Sequence, residues 1–174
     1  MEELEKTYLI KYIPDGLMAA DKKELLDIYL PAHSEHSVLR IRRSGDTYEI
    51  TKKESVVAGD FSRQLETTIP LTVEEYGDLS LLPGKRVHKI RHYFTQDGVN
   101  FEIDVFQDGL SGLVLVDVEF EKMEQKDALH LPEFCLADVT QEGFIAGGVL
   151  CGKVYADIEK DLEKFNYKPV SLSA

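Results

Sequence analysis

Five basic residues recur at strand spacing along this chain. Arg40 and Arg42 alternate with Leu39 and Ile41. Lys53 shares a parity with Glu49 and Thr51, against Tyr48 and Ile50. Lys89 and Arg91 alternate with His88, Ile90 and His92. A strand sends alternate side chains to opposite faces, so each segment commits its cations to one face. Arginine forks match phosphate oxygens bidentately, and lysine adds a mobile point charge. Convergence of these groups from three strands suits a polyphosphate.

Carboxylates follow the same rule. Glu3 and Glu5 share a parity, as do Glu102 and Asp104, and Asp117, Glu119 and Glu121; Glu66 alternates with Leu65 and Thr67. Hard oxygen donors suit Mg²⁺ or Mn²⁺, and no Cys/His cluster points to zinc. A divalent ion between carboxylates and phosphate could activate a water for attack on phosphorus. The combined chemistry is metal-assisted phosphoryl transfer.

These residues need strands to carry them. The stretch FEIDVFQDGLSGLVLVDVEFE, Phe101–Glu121, reads as a hairpin with an apolar face and a carboxylate face. Neighbouring carboxylates repel unless something positive sits among them. Further strands are expected over Met1–Tyr12, Glu24–Leu30, Val38–Arg43, Thr47–Glu54, Arg63–Ile69 and Arg86–Thr95, which makes about eight. Ser44-Gly45-Asp46 and Gln96-Asp97-Gly98 supply turns. Thr72 with Glu75 predicts a helix N-cap, the helix running to about Leu81. Met123–Leu129 and a C-terminal helix over 155–166, with Ile158, Leu162 and Phe165 on one side, complete the elements. Two arrangements accommodate the pattern. One is an antiparallel sheet with its charged face in water. The other is a barrel closed around the charges, which about eight strands can form.

At 174 residues the chain suits one domain, and its 43% apolar content is that of a globular protein. A net charge of −12 argues against nucleic-acid and membrane surfaces as partners. No apolar run approaches the ~20 residues of a membrane span. The acidic N-terminus does not resemble a secretory signal, so a cytoplasmic location is expected. Cys135 and Cys151 support no disulfide framework and read as buried small apolar residues. Gly147–Lys153 imitates part of a phosphate loop, but Val154 stands where Ser or Thr should contact Mg²⁺.

Several segments together resemble the CYTH, or triphosphate tunnel metalloenzyme, superfamily. They are ELE at Glu3–Glu5, LRIRRSGDTYEITKK at Leu39–Lys53, KRVHKIRHY at Lys85–Tyr93, EIDVF at Glu102–Phe106, GLVLVDVEFE at Gly112–Glu121 and DVT at Asp138–Thr140. The resemblance implies an α+β fold: an eight-stranded antiparallel closed β-barrel, or tunnel, with a charged interior and peripheral helices, over a single domain of residues 1–174. It implies metal-dependent hydrolysis of inorganic triphosphate or a small organic triphosphate. A non-hydrolysing polyphosphate-binding module and a class IV-type adenylate cyclase are the alternatives. Arg40, Arg42, Lys53, Lys89 and Arg91 would grip the phosphates. Glu3, Glu5, Asp117 and Glu119 would hold Mg²⁺ or Mn²⁺, and Glu66, Glu102 and Asp104 would complete the acidic side. Glu5, Glu119 and Lys53 would be catalytic. The partner is a small-molecule triphosphate or polyphosphate, and the chain a monomer or homodimer.

Three departures from the family pattern stand out. Thr7 occupies the lysine of the usual Glu-x-Glu-x-Lys signature. Thr68 replaces a glutamate. Gly143, Phe144 and Ile145 fill a segment that often supplies an arginine. The first two together remove one cation and one anion, an exchange that can be nearly neutral. The departures put loss or change of activity among the expectations.

Overall fold

The computed structural model describes residues 2–172; Met1, where the first strand was expected to begin, lies outside them. Among the described residues nine strands form: β1 (Glu2–Ile10), β2 (Asp21–Leu30), β3 (Leu39–Ser44), β4 (Thr47–Ser55), β5 (Arg63–Leu71), β6 (Lys85–Gln96), β7 (Val99–Phe106), β8 (Val114–Phe120) and β9 (Cys135–Asp138). The helices are α1 (Val73–Leu79), α2 (Met123–Ala128), α3 (Gly147–Leu150) and α4 (Tyr155–Glu163). The strand order is β5-β4-β3-β2-β6-β7-β8-β1, and β1 also pairs with β5, which closes the sheet into an eight-stranded antiparallel barrel. The charged faces therefore turn inward, and the half-solvated sheet is excluded.

Local chemistry explains the hairpins and one cap. Asp97 and Gly98 both take positive φ, 52° and 78°, between β6 and β7. That is the turn whose twist matches the flanking strands. Thr72 caps α1 as its spacing predicts. Its Oγ1 accepts from Glu75 N–H at 3.2 Å, and Glu75 Oε2 accepts from Thr72 N–H at 2.8 Å.

One strand escaped the periodicity. β9 lies outside the barrel and pairs with the last part of β1, Tyr8 opposite Asp138 and Leu9 opposite Ala137. The same edge of β1 holds β5 at its start, Glu2 opposite Leu65 and Leu4 opposite Arg63. Ser62 bridges the seam between the two pairings. Its carbonyl accepts from Glu5 N–H at 3.1 Å, and its Oγ accepts from Lys126 Nζ of α2 at 2.6 Å.

Because the barrel interior is charged, the main hydrophobic core lies on its outside. Outward residues of β1, β7 and β8, including Tyr8, Ile103, Val105, Val116 and Val118, are buried beneath Phe134, Leu150, Ile158, Leu162 and Tyr167. Phe134 meets Phe94 and Phe101 edge-on at 5.9 and 5.1 Å. Tyr167 hydroxyl accepts from Val114 N–H and donates to the Gly112 carbonyl, both at 2.9 Å. The C-terminal helix buries Ile158 and Leu162 in this core and stops at Glu163. Both cysteines are free and buried. Among the described residues no helix is long and apolar enough to cross a membrane.

Candidate active site: a charged tunnel through the barrel

Three of the basic residues named from spacing enter the barrel opposite an acidic partner, while Lys89 stands between Leu25 and Phe106 in the register. Register pairs Arg42 with Asp27, Lys53 with Glu66, and Arg91 with Asp104. It also pairs Glu102 with Asp117 and Glu5 with Glu119. All twelve predicted site residues line one tunnel: Glu3, Glu5, Arg40, Arg42, Lys53, Glu66, Lys89, Arg91, Glu102, Asp104, Asp117 and Glu119.

The cations are held by carboxylates. Arg91 grips Asp104 through Nε and Nη2, both at 2.7 Å, reaches Glu102 through Nη1, and lies 3.4 Å from Asp117. Lys89 Nζ donates to Asp104 as well. Arg42 makes a second fork, 2.6 and 2.7 Å to Asp27. Lys53 Nζ sits 2.5 Å from Glu3, 3.2 Å from Glu66 and 3.7 Å from Glu5. Arg40 is the loosest: its nearest ion pair is Glu49 at 3.6 Å, and among the described residues its buried Nε has no hydrogen-bond partner. A cation held rigidly by carboxylates needs little reorganisation when phosphate oxygens arrive.

The electrostatics divide the tunnel. Burial favours the neutral form of Asp27, but Arg42 outweighs it and holds the carboxyl at about 2. Burial also opposes the charge on Lys53, yet Glu5 and Glu3 keep it above its ordinary value. Asp117 and Glu119 go the other way. Burial, then Glu5 and Asp104, pushes Asp117 up to about 7. Burial, then Glu102 and Glu3, pushes Glu119 up to about 7. Lining carboxylates outnumber lysines and arginines nine to five, and the surplus accumulates on the β1–β8 wall.

That surplus tests the tunnel for a divalent cation. Glu3, Glu5, Asp117 and Glu119 offer only carboxylate oxygens, the donor set of Mg²⁺ or Mn²⁺. Burial and neighbouring carboxylates make two of them resist ionisation, and a bound cation would oppose both effects. The residues fit the metal in kind. Among the described residues no three potential ligands are already gathered around one point.

Two carboxylates were not singled out: Glu49, which lines the tunnel, and Asp27, which holds Arg42 without lining the tunnel itself. Asp27 lies in a strand that reads as apolar, yet it shares a parity with Leu25 and Tyr29, and that lone charge was the available signal. Thr140 and Glu142, after β9, also line the tunnel. The departures fall in three settings. Thr7 Oγ1 meets Asp117 at 2.8 Å and Glu5 at 3.1 Å. Thr68 Oγ1 bonds Thr51 at 2.9 Å and donates to Glu66 at 2.8 Å. Phe144 stacks on Phe165, 6.4 Å between ring centres, while Ile145 faces the tunnel. His88 and His92 lie outside the tunnel lining, as their parity predicts.

Comparison with known proteins agrees with this architecture. The CYTH domain family model matches residues 10–134, downstream of Glu3 and Glu5. The inorganic triphosphatase of Nitrosomonas europaea is 35% identical over 144 residues, spanning 82% of this chain and 91% of that protein. The crystal structure of the inorganic triphosphatase NE1496 superposes with a TM-score of 0.63 at 29% identity, covering 87% of this chain and 95% of that one. The PH1012 protein from Pyrococcus horikoshii OT3 shares the fold at 20% identity, TM-score 0.51, over 72% of this chain and 82% of its own. With the matched segment, the similar relatives and the closed charged barrel in agreement, this chain belongs to the CYTH domain family.

Proposed function

We propose that this chain hydrolyses inorganic triphosphate, or a small organic triphosphate, within its tunnel with Mg²⁺ or Mn²⁺. The observation that carries the reading is the division of the tunnel: cations from β3, β4 and β6 face a wall of undercompensated carboxylates on β1 and β8. The activity named for the Nitrosomonas europaea relative supports it.

In this mechanism Arg40, Arg42, Lys53, Lys89 and Arg91 bind the phosphate oxygens and fix the chain of phosphorus atoms in line. Glu3, Glu5, Asp117 and Glu119 would hold the metal, with Glu66, Glu102 and Asp104 keeping the cations oriented. When bound there, a divalent cation would supply charge to offset the phosphates and to make a water more acidic. Glu119, on the same wall, would take the proton of the attacking water. The new P–O bond forms at a terminal phosphorus, the bridging P–O bond breaks, and pyrophosphate leaves. Lys53 offsets the charge that builds on the departing oxygen.

The test is phosphate release from inorganic triphosphate with Mg²⁺ and then Mn²⁺, wild type beside Glu119→Gln. Metal-dependent turnover that Glu119→Gln abolishes supports the reading. A non-hydrolysing binding module is the second reading, favoured by Thr7 in place of the signature lysine. It requires that triphosphate raise the melting temperature with no phosphate released in either metal.

A further inference from the structure

Thr7 stands at the centre of the undercompensated wall. Asp117 is its direct partner across β8, and Glu5 is two residues back on the same face. The side chain is buried, with the residue 6% exposed. Its Oγ1 lies 2.8 Å from Asp117 Oδ1 and 3.1 Å from Glu5 Oε1. The single hydroxyl proton lies between carboxylates from two strands: it is donated to Asp117 or to Glu5, and Oγ1 bonds both at once only when one of the two carboxyls is itself protonated.

The backbone of Thr7 is pinned from outside the barrel. Its N–H donates to Thr140 Oγ1 at 3.0 Å, and its carbonyl accepts from Val139 N–H at 2.9 Å. Thr140 Oγ1 in turn donates to Asp138 Oδ1 at 2.5 Å. The segment after β9 therefore fixes where the hydroxyl sits.

The neighbouring stretch of the wall supplies a contrast. There Lys53 pairs with Glu3 at 2.5 Å and Glu66 at 3.2 Å, and stands farther from Glu5, at 3.7 Å. At Thr7 the link is uncharged. The hydroxyl itself brings no charge to the two carboxylates.

The geometry points to Thr7 as a positioning residue that yokes Glu5 and Asp117 into a paired oxygen site for a divalent cation. The cation is accordingly held on the Glu5–Asp117 side, while Glu3 stays with Lys53. This rests on the metal-dependent reading above. Without the hydroxyl the carboxylates separate, and the metal must first bring them back together. Partners that orient metal ligands typically contribute roughly 10- to 100-fold to affinity.

The experiment is calorimetric titration of the full chain with Mn²⁺ alone, with no triphosphate present. Wild type is compared with Thr7→Val, Thr7→Ala and Thr7→Ser. Both hydroxyl-free variants should weaken Mn²⁺ binding by about 10-fold or more, and Thr7→Ser should restore it. Two hydroxyl-free variants of different size separate a loss of the bridge from a shape effect of either. Equal dissociation constants for wild type, Thr7→Val and Thr7→Ala would overturn the yoke and leave the metal reading intact. A loss that Thr7→Ser fails to restore would also overturn it, because packing alone would then explain the effect. Wild-type chain that takes up no Mn²⁺ would overturn the metal reading and the yoke together.

Discussion

Arg91 and Asp104 face each other across β6 and β7 and are joined by two parallel hydrogen bonds of 2.7 Å. Asp104 is also the acceptor for Lys89 and is 1% exposed. Removing it leaves two buried cations short of their counter-ion. Asp104→Ala should therefore lower the unfolding free energy by about 3–5 kcal/mol. Urea denaturation of the metal-free protein measures this. An unchanged midpoint would mean that water, not Asp104, satisfies the pair.

Arg42 and Lys53 contribute to the tunnel from adjacent strands, each through a carboxylate partner. Arg42→Glu and Lys53→Glu each replace attraction for phosphate with repulsion. Each should reduce kcat/KM for inorganic triphosphate by at least about 100-fold. Steady-state phosphate release is the measurement. Retained catalysis in either variant would remove that residue from the substrate-binding set.

Asp117 and Glu119 make the stability of the metal-free protein depend on pH. Both bind a proton more tightly folded than unfolded, because their pKa values rise to about 7 from the ordinary carboxylate range. Their stabilising contribution is thus complete below about 4 and is lost as pH rises through about 7. Asp27 has the opposite sign: its contribution is present above the ordinary carboxylate range and is lost as pH falls towards about 2. His92, whose pKa burial lowers, costs stability as pH falls below its ordinary value. Comparing wild type with the Asp117→Asn/Glu119→Gln double variant cancels the last two effects. Between pH 5.5 and 8 the wild type should lose stability relative to that variant. Mg²⁺ or Mn²⁺ should recover the loss in wild type alone. A difference that does not change with pH would contradict the electrostatic account.

Tyr167 offers a variant remote from the tunnel. Tyr167→Phe removes the hydroxyl that accepts from Val114 N–H and donates to the Gly112 carbonyl. A buried N–H left unpaired costs about 1–3 kcal/mol. The denaturation midpoint should fall accordingly, with triphosphate turnover at 25 °C unchanged. An unaltered midpoint would show that another acceptor takes the Val114 N–H.

The division between sequence and fold follows the range of the interactions. Period-2 alternation is local, so Arg40 and Arg42, Lys89 and Arg91, and Glu102 and Asp104 could be assigned to common faces from spacing alone. The Thr72–Glu75 cap was legible for the same reason, as both partners lie within one turn. β9 was not: its four residues, Cys-Leu-Ala-Asp, carry too short a pattern, and it forms only because β1 offers an edge beyond β5. Asp27 gains its role from Arg42, fifteen positions away on the neighbouring strand. Closure itself was beyond periodicity, because a half-solvated sheet and a tunnel show the same alternation. The pairing of β1 with β5 decides between them. Only that closure turns the charged faces on one another, removes Asp117 and Glu119 from water, and lifts their affinity for protons to near neutrality. The sequence by itself determined which residues share a face. The tertiary structure decided which charges meet, because desolvation and repulsion depend on neighbours from distant strands.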